Sequence, residues 1–273
     1  MTEAQARAMG LTDEQIEALH LDSGGHNSPT DGHCLLEVCS MMSGEPFGDS
    51  PYCVDPVLAA FGHSWNDRLA EEDRQGLKKY IRPLLDTYKG PQLQIRRAFM
   101  ALDWSWRTYA ALWIEQVPEL AEHAATLRAM APITAELGEA ERTAALDKVA
   151  AAARAAWAAW AARGARGARD ARAAWAAWDA WSAWDARDAW AARDAWDARD
   201  ARDAAAHAGT VAAYEAAKGC ATYEEAREKA DAVFMRHHDA VQASLHELFT
   251  NMINAKLDDA AQQGPEEIGR AHV

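Results

Sequence analysis

The chain has 273 residues and a formal net charge of −14 at pH 7, and this acidic balance disfavours nucleic acid or an anionic membrane as a partner. Its four cysteines are too few and too scattered for a disulfide scaffold, so we expect free thiols in a reducing compartment. No apolar run reaches the roughly 18 residues of a membrane span and the N-terminus lacks signal-peptide features, which predicts a soluble cytoplasmic protein without a membrane partner.

Local start signals predict the first helices. The sequence shows no strand-like alternation of apolar residues, and we predict an all-α fold. Thr12 with Gln15 is a capping-box pattern, and Asp55 followed by Pro56 is typical of an N-cap and the first helical residue. With Asp31 as a further cap, the predicted helices run over about 12–21, over 32–42, from 56, and over 71–81, the last ending before Pro83.

The clearest amphipathic stripe of the first half lies on a helix predicted over residues 92–117. Six apolar side chains at three- and four-residue spacing share one face, which we interpret as core: Ile95, Phe99, Leu102, Trp106, Tyr109 and Trp113. Another helix is predicted over 119–130. After a break at Leu137 and Gly138 the chain is expected to run helically from Glu139 into a repeat.

A three-residue unit repeats through residues 154–202. Every third residue is Trp or Arg, the residue before it is Ala, and the remaining position is mostly Asp or Ala. The alanine content predicts a helix. In an α-helix the Trp/Arg row slips about 60° per unit, so it winds around the rod. A long 3₁₀ helix matches the period as the alternative, although 3₁₀ runs seldom exceed about four residues.

The last part of the chain predicts one long helix. Gly219 is expected to end the helix that leaves the repeat, and Thr222 with Glu225 forms a second capping-box pattern. The following helix is predicted to reach about Leu257. It carries a heptad-like apolar face that needs a partner, formed by Phe234, His238, Val241, Leu245, Leu248 and Met252.

Two parts of the chain carry a distinctive set of residues: Asp31-Gly32, Cys34, Glu37, Gly44-Glu45-Pro46, Pro51, Cys53-Val54, Pro56, Trp65-Asn66-Asp67, Asp103-Trp104 and the segment 240–253. In these residues the chain resembles a group of uncharacterised helical proteins from high-GC bacteria and their phages, which carries no known activity. The resemblance implies that an N-terminal helical unit packs with the final helix and that the repeat is an inserted arm. We predict an N-terminal domain over 1–137, a repeat arm over 138–208, C-terminal helices over 209–260 and a flexible tail over 261–273.

The cysteines offer two alternatives. Cys34 lies near a predicted helix N-terminus, whose dipole would lower a thiol pKa and favour a cysteine-dependent enzyme. Cys34, Cys39 and Cys53 with His33 or His63 are weak candidates for a zinc site, since zinc favours thiolate and imidazole ligands. However, Cys34 and Cys39 point about 140° apart around a helix and no CxxC pair is present, so we predict no metal and no cofactor.

The repeat itself is the predicted interaction face. Stacked aromatics interleaved with Arg are used by single-stranded nucleic-acid sites, but the Asp residues cancel the positive charge that phosphate requires. We therefore predict a non-enzymatic structural or interaction protein with the repeat as a rigid spacer or self-association arm, built as one rod or as a hairpin of two rods. The expected face comprises Trp157, Trp160, Trp175, Trp178, Trp181, Trp184, Trp190, Trp196, Arg187, Arg193 and Arg199.

Overall fold

The structure, a computed structural model, describes residues 10–166 and 199–257. Within these residues the predicted all-α fold is confirmed. The helices are α1 Asp13–Ala18, α2 Leu35–Ser43, α3 Pro56–Arg68, α4 Glu71–Gln75, α5 Ile81–Leu84, α6 Pro91–Trp104, α7 Ala111–Ile114, α8 Ala121–Arg128, α9 Glu139–Arg166, α10 Arg199–Ala217 and α11 Tyr223–Asn254. Two 3₁₀ turns, Gly76–Tyr80 and Pro118–Leu120, and a π-helical segment, Ser105–Ala110, join neighbouring helices.

Three of the predicted helix caps are confirmed. Thr12 accepts a hydrogen bond from the N–H of Gln15 in a full capping box. The Asp55 side chain accepts from the N–H of Val57 at 2.9 Å. Thr222 caps α11, although the Glu225 carboxylate accepts from the N–H of Ala221 and not from the cap itself. These caps are interactions within four residues, which the sequence pattern alone specifies.

The predicted start of α2 and the predicted end of the 71–81 helix were wrong. Cys34, not Asp31, is the N-cap of α2, because Gly32 has a φ of +142° and cannot continue a helix. The 71–81 helix is interrupted by the 3₁₀ turn. Pro83 then lies inside the first turn of α5, where a residue needs no N–H donor for the helix.

The amphipathic stripe is buried from Leu102 onward. Leu102, Trp106, Tyr109 and Trp113 belong to the core, but Ile95 is half exposed. The π-helical segment Ser105–Ala110 holds about one residue more per turn than an α-helix and shifts the buried face. Before that segment, α6 also buries Leu93, Arg97 and Ala101, which are not part of the predicted stripe.

The N-terminal unit packs against the last helix, as predicted. The contacts follow each other in reverse order along α6–α7 and α11, which shows that these helices are antiparallel: Arg97 with Met252, Trp104 with Ser244 and Trp113 with Phe234. An aromatic cluster joins α3 and the 3₁₀ turn to the same helix. Its members are Phe61, Trp65, Tyr80, His246 and Phe249.

The described ends of the repeat belong to α9 and α10, and both are α-helical, so the 3₁₀ alternative was wrong for these residues. The Trp160 ring lies 5.6 Å from the His207 ring, and three residues further along α9 Arg163 Nε donates to Glu215 at 2.7 Å. The contacts advance in the same direction on both helices. α9 and α10 therefore run parallel, whereas a hairpin of the two would be antiparallel. The division into domains at 137 and 208 stays a prediction.

Candidate interaction surfaces

α9 and α10 pack against each other and bury mostly alanine side chains, while Trp160 and Arg163 also make contacts between the two helices. The buried faces are formed by Ala145, Val149, Ala152 and Ala156 on α9 and by Ala201, Ala204, Ala205 and Ala208 on α10. Small side chains at a helix contact allow the axes to approach closely. The described larger repeat residues Trp157, Trp160 and Arg163 lie at the edge or on the outside of the helix pair.

Trp157, a residue of the predicted interaction face, is exposed to solvent. Its side chain is 55% exposed on α9, one residue after the fully buried Ala156. Trp160 is half-buried beside His207. Arg199 begins α10, but its side chain lies outside the described part of the structure. The other predicted positions also lie outside the described residues: Trp175, Trp178, Trp181, Trp184, Trp190, Trp196, Arg187 and Arg193.

Arg163 joins the repeat to the rest of the fold. Its guanidinium donates to Glu119 Oε1 at 2.6 Å and to Glu215 Oε1 at 2.7 Å. Hydrogen bonds from its own backbone N–H and from Arg163 lower the pKa of Glu119. This guanidinium is therefore neutralised by two carboxylates of the same chain.

Burial disfavours the thiolate form of Cys34, Cys39 and Cys53, the three cysteines that the alternatives involve. Burial raises the pKa of Cys34 to about 12, and it also raises the pKa of Cys39 and of Cys53. The expected dipole-lowered thiol pKa was wrong for Cys34, because the loss of hydration penalises the thiolate more than the helix N-terminus favours it. His33 is likewise partly buried, which lowers its pKa. Among residues 10–166 and 199–257 no three His, Cys, Asp or Glu side chains are placed to hold a metal ion.

Glu37 organises the loop before α2. Its carboxylate is 1% exposed and accepts hydrogen bonds from the N–H of Cys34 at 2.7 Å and of His26 at 2.6 Å. It also lies 2.8 Å from His26 Nδ1. A Cβ on Gly32 would meet the His26 ring at 2.6 Å, so the loop closes tightly over this carboxylate.

A groove of about 620 Å³ lies between residues 49–56, α3 and residues 88–94. Tyr52, 86% exposed, and Tyr88, 45% exposed, stand on its walls, and Asp49 and His63 also line it. His63 Nε2 lies 3.4 Å from an Asp49 oxygen and 3.5 Å from an Asp67 oxygen. The groove thus combines exposed aromatic rings with carboxylates.

The backbone beneath the two tyrosines is held by a buried network. Arg97 NH1 lies 2.8 Å from Asp55 Oδ2 and donates to the carbonyl of Thr87 at 2.8 Å, while its Nε donates to the carbonyl of Met252 at 2.8 Å. The Asp55 contact is an ion pair whose angle is not that of a hydrogen bond. Both side chains are almost completely buried. Arg97 thereby connects the groove, α6 and the end of α11.

A second cleft, of about 860 Å³, separates α6 from the end of α11 and residues 132–136. Its walls carry charges of both signs, including Arg96, Glu136 and Lys256. The Asp103 carboxylate in this cleft already accepts the N–H of Ile133 at 2.8 Å and pairs with Arg107. The cleft therefore has no excess of one charge sign that would favour an anionic or a cationic ligand.

Comparisons with protein-family models, with curated proteins and with solved structures match nothing to this chain. The resemblance to the helical group from high-GC bacteria and their phages therefore stays a prediction. Of the helices in the described residues, none combines the length and the apolar character that crossing a membrane requires.

Sequence reasoning found Trp157 and missed the tyrosine groove. The repeat position was visible because the three-residue period marks it. Tyr52 and Tyr88 are separated by 36 positions in loops without periodicity, and no local pattern brings them together. The composition of residues 43–53, rich in glycine and proline, predicts only a loop.

Proposed function

We propose that this chain is a non-enzymatic interaction protein and that a second copy docks on the outward Trp positions of its repeat. The proposal is supported by the different burial of two neighbouring residues on α9. Ala156 is fully buried in the chain's own helix packing, and the adjacent Trp157 is left 55% exposed. An indole held on a long helix loses little conformational entropy on binding, which is typical of interface hot spots.

The energy available at this position is sufficient to matter for association. An indole offers about 200 Å² of surface, so covering the exposed half of Trp157 contributes on the order of 2–3 kcal/mol. In a two-fold dimer the same residue contributes once from each copy. Two such contacts would supply a substantial part of a micromolar affinity, which is about 8 kcal/mol.

The alternatives fit the described residues less well. Single-stranded nucleic acid would need free guanidiniums beside the indoles, but Arg163 is already neutralised by Glu119 and Glu215. A cysteine-dependent enzyme would need a thiolate, and the pKa of Cys34 is about 12. Self-association through Trp157 requires neither a free guanidinium nor a thiolate.

Replacement of Trp157 by Ala is expected to raise the dimer dissociation constant at least about 100-fold, because the contact is lost from both copies. Light scattering after size-exclusion chromatography over a range of protein concentrations measures it. Met235→Ala is the matched control, since Met235 is also half exposed but lies on α11 away from the repeat. A wild-type chain that stays monomeric throughout, or a dimer that W157A leaves intact, contradicts the proposal.

Self-association is also expected to strengthen as salt is added. Each copy carries a formal net charge of −14, and salt screens the repulsion between copies while leaving the apolar contact in place. Between about 50 and about 500 mM NaCl the dimer fraction at fixed protein concentration should rise. Sedimentation velocity measures this fraction. A dimer that dissociates as salt increases would indicate an interface held by ion pairs instead of indoles.

A further inference from the structure

The groove between Tyr52 and Tyr88 is a second exposed aromatic surface, separate from the repeat. Five large hydrophobic side chains are exposed among the described residues, and these two line the same groove. Scattered single exposures are ordinary, but a paired exposure inside one concavity is typical of a binding site. The proposal below does not depend on self-association.

Hydrogen bonds hold the backbone of both tyrosines in place. The Glu45 carboxylate accepts the N–H of Tyr52 at 2.5 Å and of Cys53 at 2.9 Å. The carbonyl of Cys53 in turn accepts the N–H of Thr87 at 3.0 Å and of Tyr88 at 3.5 Å. The two aromatic residues are therefore connected through a single residue. A site preorganised in this way spends little ordering entropy when a ligand binds.

The charge of the groove selects the sign of its ligand. Asp49 and His63 line the groove, an Asp67 oxygen outside the lining lies 3.5 Å from His63 Nε2, and none of the described lining residues is Lys or Arg. Lys89, the residue after Tyr88, is paired with Asp86 at 2.5 Å. Aromatic faces attract cations through their quadrupole, and a carboxylate at the edge adds directional hydrogen bonding.

We propose that this groove binds an arginine side chain of a partner protein's extended segment, with the guanidinium between Tyr52 and Tyr88 and directed toward Asp49. Arginine fits better than lysine because its planar guanidinium stacks on aromatic rings and can donate two hydrogen bonds to one carboxylate. A groove about 620 Å³ in volume also has room for the flanking peptide backbone. The Asp49 carboxylate disfavours anionic ligands.

The test uses the full chain and a fluorescein-labelled hexa-arginine peptide, with anisotropy as the readout at about 150 mM salt. Wild-type protein should bind hexa-arginine more tightly than hexa-lysine and should not bind hexa-glutamate. The double variant Tyr52→Ser, Tyr88→Ser should weaken hexa-arginine binding about tenfold. Asp49→Asn should weaken it about three- to fivefold. Both tyrosines are exposed, so circular dichroism melting should show that the double variant folds normally.

The whole chain is acidic, so general charge attraction is the competing explanation. Glu72→Gln removes one negative charge from an exposed site on α4, away from the groove, and should leave binding unchanged. The proposal is overturned if Glu72→Gln weakens binding as much as Asp49→Asn, if the double serine variant binds like wild type, or if wild type does not bind hexa-arginine.

Discussion

Replacement of Arg97 by Met is expected to lower the free energy of unfolding by about 3–5 kcal/mol. The buried guanidinium forms an ion pair with Asp55 and donates hydrogen bonds to the carbonyls of Thr87 and Met252. Met fills a similar volume, so the loss is electrostatic: the Asp55 carboxylate is left buried without a cation and two carbonyls lose their donor. Urea unfolding followed by circular dichroism measures the change.

Two further variants separate this effect from a general loss of arginine. Arg227→Met removes an exposed cation paired with Asp231 on α11, and its cost should be only a few tenths of a kcal/mol. Adding Asp55→Asn to Arg97→Met should restore part of the stability, since Asn keeps the helix cap and removes the unpaired charge. An Arg97→Met chain as stable as Arg227→Met, or no recovery in the double variant, would show that the buried pair does not hold the N-terminal unit to α11.

Replacement of Glu37 by Ala is expected to cost about 2–4 kcal/mol and to expose a thiol. The change leaves the N–H groups of Cys34 and His26 and the His26 ring without their acceptor. The loop before α2 should then loosen. Because burial is the main reason that the pKa of Cys34 is about 12, solvent entry should lower it and make this thiol reactive at pH 8.

A count of thiols reacting with an aromatic disulfide reagent, combined with urea unfolding, measures both consequences. Cys34 and Cys39 are fully buried in the wild type and should not react before unfolding. The Glu37→Ala chain should show one additional fast-reacting thiol. Glu72→Ala, at an exposed position on α4, should behave like wild type. If both variants give the same thiol count and the same midpoint, Glu37 does not hold the loop closed.

The sequence specified those parts of the fold that depend on neighbouring residues. The caps at Thr12, Asp55 and Thr222 are hydrogen bonds to residues two or three positions away, and each was predicted. The hydrophobic face of α11 was predicted because its heptad spacing is a property of one helix. Its partner was expected from the resemblance to the helical group.

The features that the sequence did not specify depend on contacts between distant segments. Arg97 lies on a helix face that polar residues flank, and its acceptor Met252 is 155 positions away. The π-helical segment Ser105–Ala110 rotates the buried face of the helix, and none of its residue types predicts a π-helix. The burial of Cys34 likewise comes from tertiary packing, which overrides the local effect of a helix N-terminus.

The repeat combines features that follow from its local pattern with features that depend on contacts between distant segments. The period predicts a Trp/Arg row that winds around the rod, and among the described positions Trp157 is exposed while Arg163 lies at the edge of the helix pair. The period did not indicate that Ala156 would be fully buried beside the exposed Trp157, since the alanine content was used only to predict a helix. The parallel direction of α9 and α10 follows from tertiary contacts and has no local signature.

The central claim is that two copies meet at Trp157, and a distance between copies tests it most directly. A nitroxide on Ala158→Cys, the exposed neighbour of Trp157, is introduced after Cys53 and Cys220 are changed to Ser; the buried Cys34 and Cys39 should stay unlabelled. Double electron–electron resonance then reports only distances between copies. Helices in contact lie about 8–10 Å apart, so we predict a label separation within about 25 Å, lost in Trp157→Ala. A clearly longer separation, or the same short one in Trp157→Ala, would contradict the account.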